Sequence, residues 1–237
     1  MTAELKSLIA GVANDGRSIS LQARKGDGSA STHAIDSSGP LQVGLVFGLI
    51  MLAVWTPPGR ANAISTLLAA LSIVWFTVRG GYSIRELGLS RPVSGALVML
   101  VSGVFMVMTM IVAGSVIHSL GPARPVPWDR AWKYAIWALL QEFILQSFFY
   151  VRLESLFGRR AVWGAALLFC VAHLPSPVLT FTSLIGGLLF CEMFRRYRNI
   201  FPLGFVHATI GLTIAASLPD NLLHHMRVGL GYLSYRP

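Results

Sequence analysis

Apolar residues in this chain come in long runs broken by short polar stretches, without the period-two or period-3.6 pattern of a half-buried strand or helix. Seven runs fall at about 41–56, 61–78, 93–117, 131–152, 161–175, 177–194 and 201–218. A bilayer core of roughly 30 Å takes about 20 apolar residues per helix, so each run has about the length of a membrane span. Backbone polar groups inside hydrocarbon find no water, and nothing follows the alternating ten-residue pattern of a barrel strand, so the runs are expected to be helices. The pattern therefore predicts an all-α, polytopic transmembrane helical bundle of about seven spans. Residues 1–40, polar and rich in glycine and serine ("KGDGSASTHAIDSSGP"), are expected to form a flexible cytoplasmic tail. Residues 41–218 form the bundle, and 219–237 a C-terminal tail apolar enough to fold back onto it.

Composition agrees: 54% of the 237 residues are hydrophobic, 12% are charged, and mean hydropathy is +0.63, far too apolar for a soluble domain. The net charge of +9 does not point to nucleic acid, because the 19 Lys and Arg are spread over loops with no basic arm or interleaved aromatic motif. Membrane topology accounts for them better. With seven spans, 13 of them lie on the side of the N-terminus and 6 opposite, which places the N-terminus in the cytoplasm and the C-terminus outside. Arg152 is one of the 13. "RGGYSIRELGLSRP" at 79–92 is expected at the cytoplasmic interface, and "PSP" at Pro175–Pro177 in a tight reversal. Glu192 stands four residues before Arg196, an interfacial pair. Cys170 and Cys191 fall inside spans and are read as packing residues.

Three ionisable residues break the apolar pattern deep inside spans: Glu142, His173 and His207. Such residues are costly in lipid and face the bundle interior at functional sites. Counted from the cytoplasmic ends at about 1.5 Å per residue, they lie about 15, 18 and 9 Å deep, so one polar layer can hold all three. Gln146 is four residues from Glu142 and shares its helical face, while Gln141 adjoins it in sequence. A carboxylate and two imidazoles around a small wet space suit hydrolysis. Glu142 would take a proton from water, the histidines would stabilise the oxyanion, and Gln141 and Gln146 would orient the carboxylate. Glu with two His is also a zinc ligand set, but "HExxH" is absent and no metal or other cofactor is favoured. Plainer roles compete: a helix-to-helix hydrogen bond for Glu142, an interfacial position for His207 and a cap on the Pro-rich turn for His173. His224 and His225 follow the last span and are expected to be solvated or interfacial.

At these residues the chain resembles the CPBP family, the CAAX-protease and bacteriocin-processing (Abi) group of glutamate-dependent intramembrane proteases. That family's "EExxxR", "FxxxH" and later His with Asn or Asp four residues on have counterparts in "QEFILQ" (Gln141–Gln146), "FCVAH" (Phe169–His173) and "HATIG" (His207–Gly211). "ELGLSRP" at 86–92 is similar to the segment that often precedes the family's core, which here would cover about 85–218. The family's first Glu falls on Gln141, its Arg on Gln146 and its closing Asn on Gly211. The resemblance implies a peptidase of a bacterial inner (plasma) membrane acting on a membrane protein or lipid-anchored peptide. Processing of C-terminal sorting signals is a narrower form of that expectation. Glu142, His173 and His207 would then be catalytic, supported by Gln141, Gln146 and Phe169, with Asn221 or the "HHMRVG" tail as replacement for the missing polar group. The alternative is a catalytically inactive relative that serves as a membrane binding or immunity protein. A transporter fits less well, since inverted repeats are not evident.

Overall fold

The computed structural model describes residues 38–91, 93–116 and 126–236, and these are helical with turns and no strand. The helices are α1 (Gly39–Trp55), α2 (Arg60–Arg79), α3 (Ala96–Val116), α4 (Trp128–Glu142), a π-helical segment (Phe143–Tyr150), α5 (Val151–Phe157), α6 (Ala161–Val171), α7 (Pro177–Tyr197), α8 (Phe201–Ser217), α9 (Asp220–Leu223) and α10 (Gly229–Leu233). Among the described residues, helix forms through most of each of the seven apolar runs. α2, the stretch Trp128–Val171 and α7 hold windows long and apolar enough to cross a membrane; α1, Ala96–Val112 and α8 are apolar but shorter. Outward faces remain apolar, with Leu67, Leu71, Val74 and Val78 exposed on α2 and Leu97, Val101, Val104 and Phe105 on α3. Water would not tolerate such faces, whereas lipid does.

Local chemistry sets the ends of these helices. Pro40 stands in the first turn of α1, so Gly39 and Pro40, expected in the tail, are already helical; the rest of that tail, residues 1–37, lies outside the described residues. Gly158, at φ 54°, ends α5, and the chain turns so that α6 packs back against the π segment. α6 stops at Val171, so His173 sits in the following turn rather than inside a helix. Ser176 caps α7, its hydroxyl accepting from Leu179 N–H at 3.4 Å with Pro177 in the first turn. α7 closes at Arg198 in the left-handed region, φ 48°.

The π segment is the centre of the bundle, touching α2, α4, α6 and α7, and residues 145–153 are buried without a break. An α-helix presents one face to a core; burial all round marks an element enclosed by others. The Val151 N–H donates to the Gln146 carbonyl five residues back, the wide register that gives a π turn. Residues 80–91 and 93–95 are fastened to this centre. Their Ser83 and Glu86 form a reciprocal capping box, with Ser83 N–H to Glu86 at 2.8 Å and Glu86 N–H to Ser83 Oγ at 3.2 Å. Ser147 Oγ donates to the Leu87 carbonyl at 2.6 Å, and Asn199 Nδ2 to that of Ser94 at 2.9 Å.

One expectation about a polar residue needs correction, and another gains a partner. Arg152, counted among the loop cations, is fully buried. Its guanidinium lies 3.9 Å from the Phe148 ring centre and 5.2 Å from that of Tyr82, and it donates to Gln42 Oε1 at 2.9 Å and the Phe148 carbonyl at 3.1 Å. Ring faces and carbonyls replace its hydration, so burial is tolerable. Glu192 is shared: Arg196 donates at 2.7 Å, as its spacing suggested, and Arg195 donates through two nitrogens at 2.8 Å each. The C-terminal tail does fold back, with α10 against α1 and Gly229 N–H donating to the Leu174 carbonyl at 2.7 Å.

Candidate active site

Close helix approach builds the site. α4 and α8 meet where glycines leave room: a Cβ on Gly204 would lie 2.7 Å from a Leu139 methyl and 3.1 Å from its Cα. α6 and α7 meet likewise at Gly187, whose added Cβ would be 3.2 Å from Ala166 Cα. Small residues at membrane-helix contacts let backbones come near enough for side chains to bond across.

Glu142 ends α4 with no exposed surface. Both its carboxylate oxygens accept hydrogen bonds: His207 Nδ1–H from α8 donates to Oε1 at 2.9 Å, and Gln146 Nε2–H donates to Oε2 at 3.1 Å. A buried carboxylate left without donors costs several kcal/mol, so this pairing is what makes Glu142 tolerable there. The depth count put Glu142 and His207 about 6 Å apart along the bundle axis, and side-chain reach closes that gap. The His207 ring is clamped by Phe190, roughly parallel at 5.7 Å, and by Phe169 edge-on at 5.7 Å. The His207 side chain keeps 12% of its surface exposed, so it is the more accessible member of the pair.

His173 reaches the same neighbourhood through Phe169, its ring 4.6 Å from that of Phe169, which also meets the His207 ring edge-on. Its Nδ1–H donates to the Phe169 carbonyl at 2.7 Å. That bond satisfies a carbonyl of the last helical turn, so the capping role is real; it also leaves Nε2 for a further partner. Phe169 thus holds both imidazoles. Gln141 is half-buried, and its side chain makes no hydrogen bond to Glu142 among the described residues; Gln146 and His207 do the orienting. Asn221 is exposed on α9 and not bonded to the Glu142–His207 pair. His224 bonds the Tyr232 carbonyl at 3.0 Å and His225 pairs with Asp220 at 2.9 Å, so the tail histidines serve the tail's own fold.

The sequence reading missed two contributors. Phe190 packs on His207, and Cys191, completely buried, lies against the Gln146 amide. An aromatic and a cysteine in an apolar span carry no signal above the background. Among the described residues, no three His, Cys, Asp or Glu side chains converge as a group able to hold a metal ion. The open cleft beside Arg159, Arg160, Trp163 and Leu188 shares no residue with the site.

Residues 125–213, which hold all three motifs, match the family model described as type II CAAX prenyl endopeptidase Rce1-like. No curated protein and no solved structure matches the chain significantly. The resemblance drawn from "QEFILQ", "FCVAH" and "HATIG" is thereby borne out at the level of the family, and with it an integral membrane protein of protease descent. Through residues 125–213, the chain is similar to the Rce1-like, CAAX-type proteases of the CPBP family.

Proposed function

We propose that this protein is an intramembrane endopeptidase that hydrolyses a peptide bond of a membrane-associated or lipid-anchored protein, with Glu142 as the base. The observation that carries the reading is the fully buried Glu142 carboxylate held by His207 at one oxygen and Gln146 at the other. Two donors fix its position, and the low-dielectric surroundings strengthen its interaction with a proton on water. Water's oxygen adds to the peptide carbonyl carbon while Glu142 takes the proton; the same proton passes to the leaving nitrogen as the C–N bond breaks. His173 and His207 have Nδ1 committed, which leaves Nε2 of each to stabilise the tetrahedral intermediate when protonated. Gln141 then has no part in holding the carboxylate.

In this reading the seven helical runs cross a bacterial inner membrane with the N-terminus cytoplasmic, residues 41–218 forming the bundle. C-terminal sorting signals are a natural substrate class for such an enzyme. The competing reading, an inactive relative that binds a membrane partner, rests on Gln141 and Gly211 in place of the family's polar residues. Terminal-peptide mapping of membrane fractions separates the two, using native cells that carry wild-type protein or Glu142→Gln at matched levels. Protein termini that disappear in the variant establish the peptidase and name its substrate; identical sets of termini point to the inactive relative and turn the search to its binding partners.

A further inference from the structure

Gly211 is buried on α8, one turn beyond His207, and the space its side chain would fill is occupied. A Cβ built there would overlap the Tyr134 hydroxyl and the adjoining ring carbons. Tyr134 belongs to α4, the helix that carries Glu142, and crosses the α4–α8 contact to lay its hydroxyl on the α8 face that bears His207. One α-helical turn is about 6 Å along the axis when counted as four residues, so hydroxyl and imidazole stand at neighbouring levels. Tyr134 is half-buried, and its hydroxyl has no hydrogen-bond partner among the described residues. Glu142 itself is closed off while His207 retains 12% exposure, so a substrate reaches the pair from the His207 side.

We propose that Tyr134 is a further catalytic residue, its hydroxyl donating a hydrogen bond to the carbonyl oxygen of the bond being cut. This inference rests on the Glu142-dependent peptidase reading. As water's oxygen bonds to the carbonyl carbon, the C=O π pair moves onto oxygen, and the Tyr134 O–H stabilises that negative charge without giving up its proton. The water proton goes to Glu142 and then to the leaving amine, so no other reagent is consumed. A phenol from the facing helix is suited to this: its rigid ring places the hydroxyl with little entropy lost, and a donor aimed at a developing oxyanion in a water-poor site is worth far more than in water.

The test uses initial rates at which Glu142-dependent termini appear after induction in native cells, with folded protein in the membrane matched between variants. Tyr134→Phe keeps the ring against Gly211 and removes only the hydroxyl; the rate is expected to fall about 10²–10³-fold, as for loss of one oxyanion donor. Tyr134→Ala combined with Gly211→Ser brings a hydroxyl into the same space from α8 and is expected to recover at least about tenfold over Tyr134→Ala, part of what one such donor contributes. If Tyr134→Phe stays within about threefold of wild type while Glu142→Gln is silent, the tyrosine is packing and the proposal is overturned with the peptidase reading intact. If no terminus depends on Glu142, that reading fails and the Tyr134 role falls with it.

Discussion

Gln146→Leu isolates one hydrogen bond at the centre of the site. Both Gln146 and Glu142 are fully buried, and the amide donates to Glu142 Oε2 at 3.1 Å. Leucine has nearly the volume of glutamine, so packing changes little while the carboxylate loses one of two donors. An exposed pair at this helical spacing is worth about 0.2–0.5 kcal/mol, and a hydrogen bond to a charged group in a soluble core about 1.5–3 kcal/mol. In a membrane, cycles average about 0.6 and reach about 1.7 kcal/mol, because the unfolded, inserted chain finds other partners. Complete burial argues for the upper part of the membrane range, and the rather long 3.1 Å contact argues against its limit. The expected coupling is therefore about 1 kcal/mol, or roughly fivefold in the folding equilibrium. A double-mutant cycle of Gln146→Leu, Glu142→Leu and the pair measures it, by equilibrium unfolding in mixed micelles followed by far-ultraviolet circular dichroism. The single Gln146→Leu is the worst case, since it strands a buried acceptor at a cost of about 1–3 kcal/mol; the double variant should recover much of that loss. Coupling below about 0.3 kcal/mol, the scatter expected of independent sites, would refute the contact and the reasoning built on it.

Two further substitutions test how the site is supported. Ser147→Ala removes the hydroxyl that bonds the Leu87 carbonyl at 2.6 Å and should cost about 1–3 kcal/mol, with faster hydrogen exchange confined to residues 83–91 as the readable sign; unchanged exchange there would show that the segment is held by other contacts. Gly211→Ala drives a methyl into the Tyr134 hydroxyl and ring and should destabilise by about 1–3 kcal/mol, as overpacking does. Tyr134→Ala in the same chain should relieve most of that strain, and a melting temperature equal to wild type for Gly211→Ala alone would contradict the close approach.

The residues that could be found from sequence were those that do not belong in lipid. Glu142, His173 and His207 stood out because each interrupts an apolar run, and helical rise alone brought them near one level. The spacing of Gln146 from Glu142 survives at the start of the π segment, so that hydrogen bond was legible too. Backbone register was not: the wide turn at 143–150 depends on packing against α2, α6 and α7, which no local pattern encodes. Arg152 looked like a loop cation because its partners, Gln42 and Tyr82, come from distant parts of the chain. His173 was placed in a span by hydropathy, but the chain leaves the helix at Val171, and the imidazole caps the end it has just passed. Phe190, Cys191 and Tyr134 were invisible for the opposite reason, being residue types that any membrane helix can carry.

Purified protein and its Glu142→Gln variant, reconstituted side by side in lipid vesicles and given a peptide spanning a cleavage junction mapped in native cells, test the central claim most directly. The account expects the wild type to cut the peptide at the mapped bond. The variant should keep its melting temperature within a few degrees but slow by about 10²–10⁴-fold, the usual contribution of a general base. Cleavage by Glu142→Gln at close to the wild-type rate would contradict it.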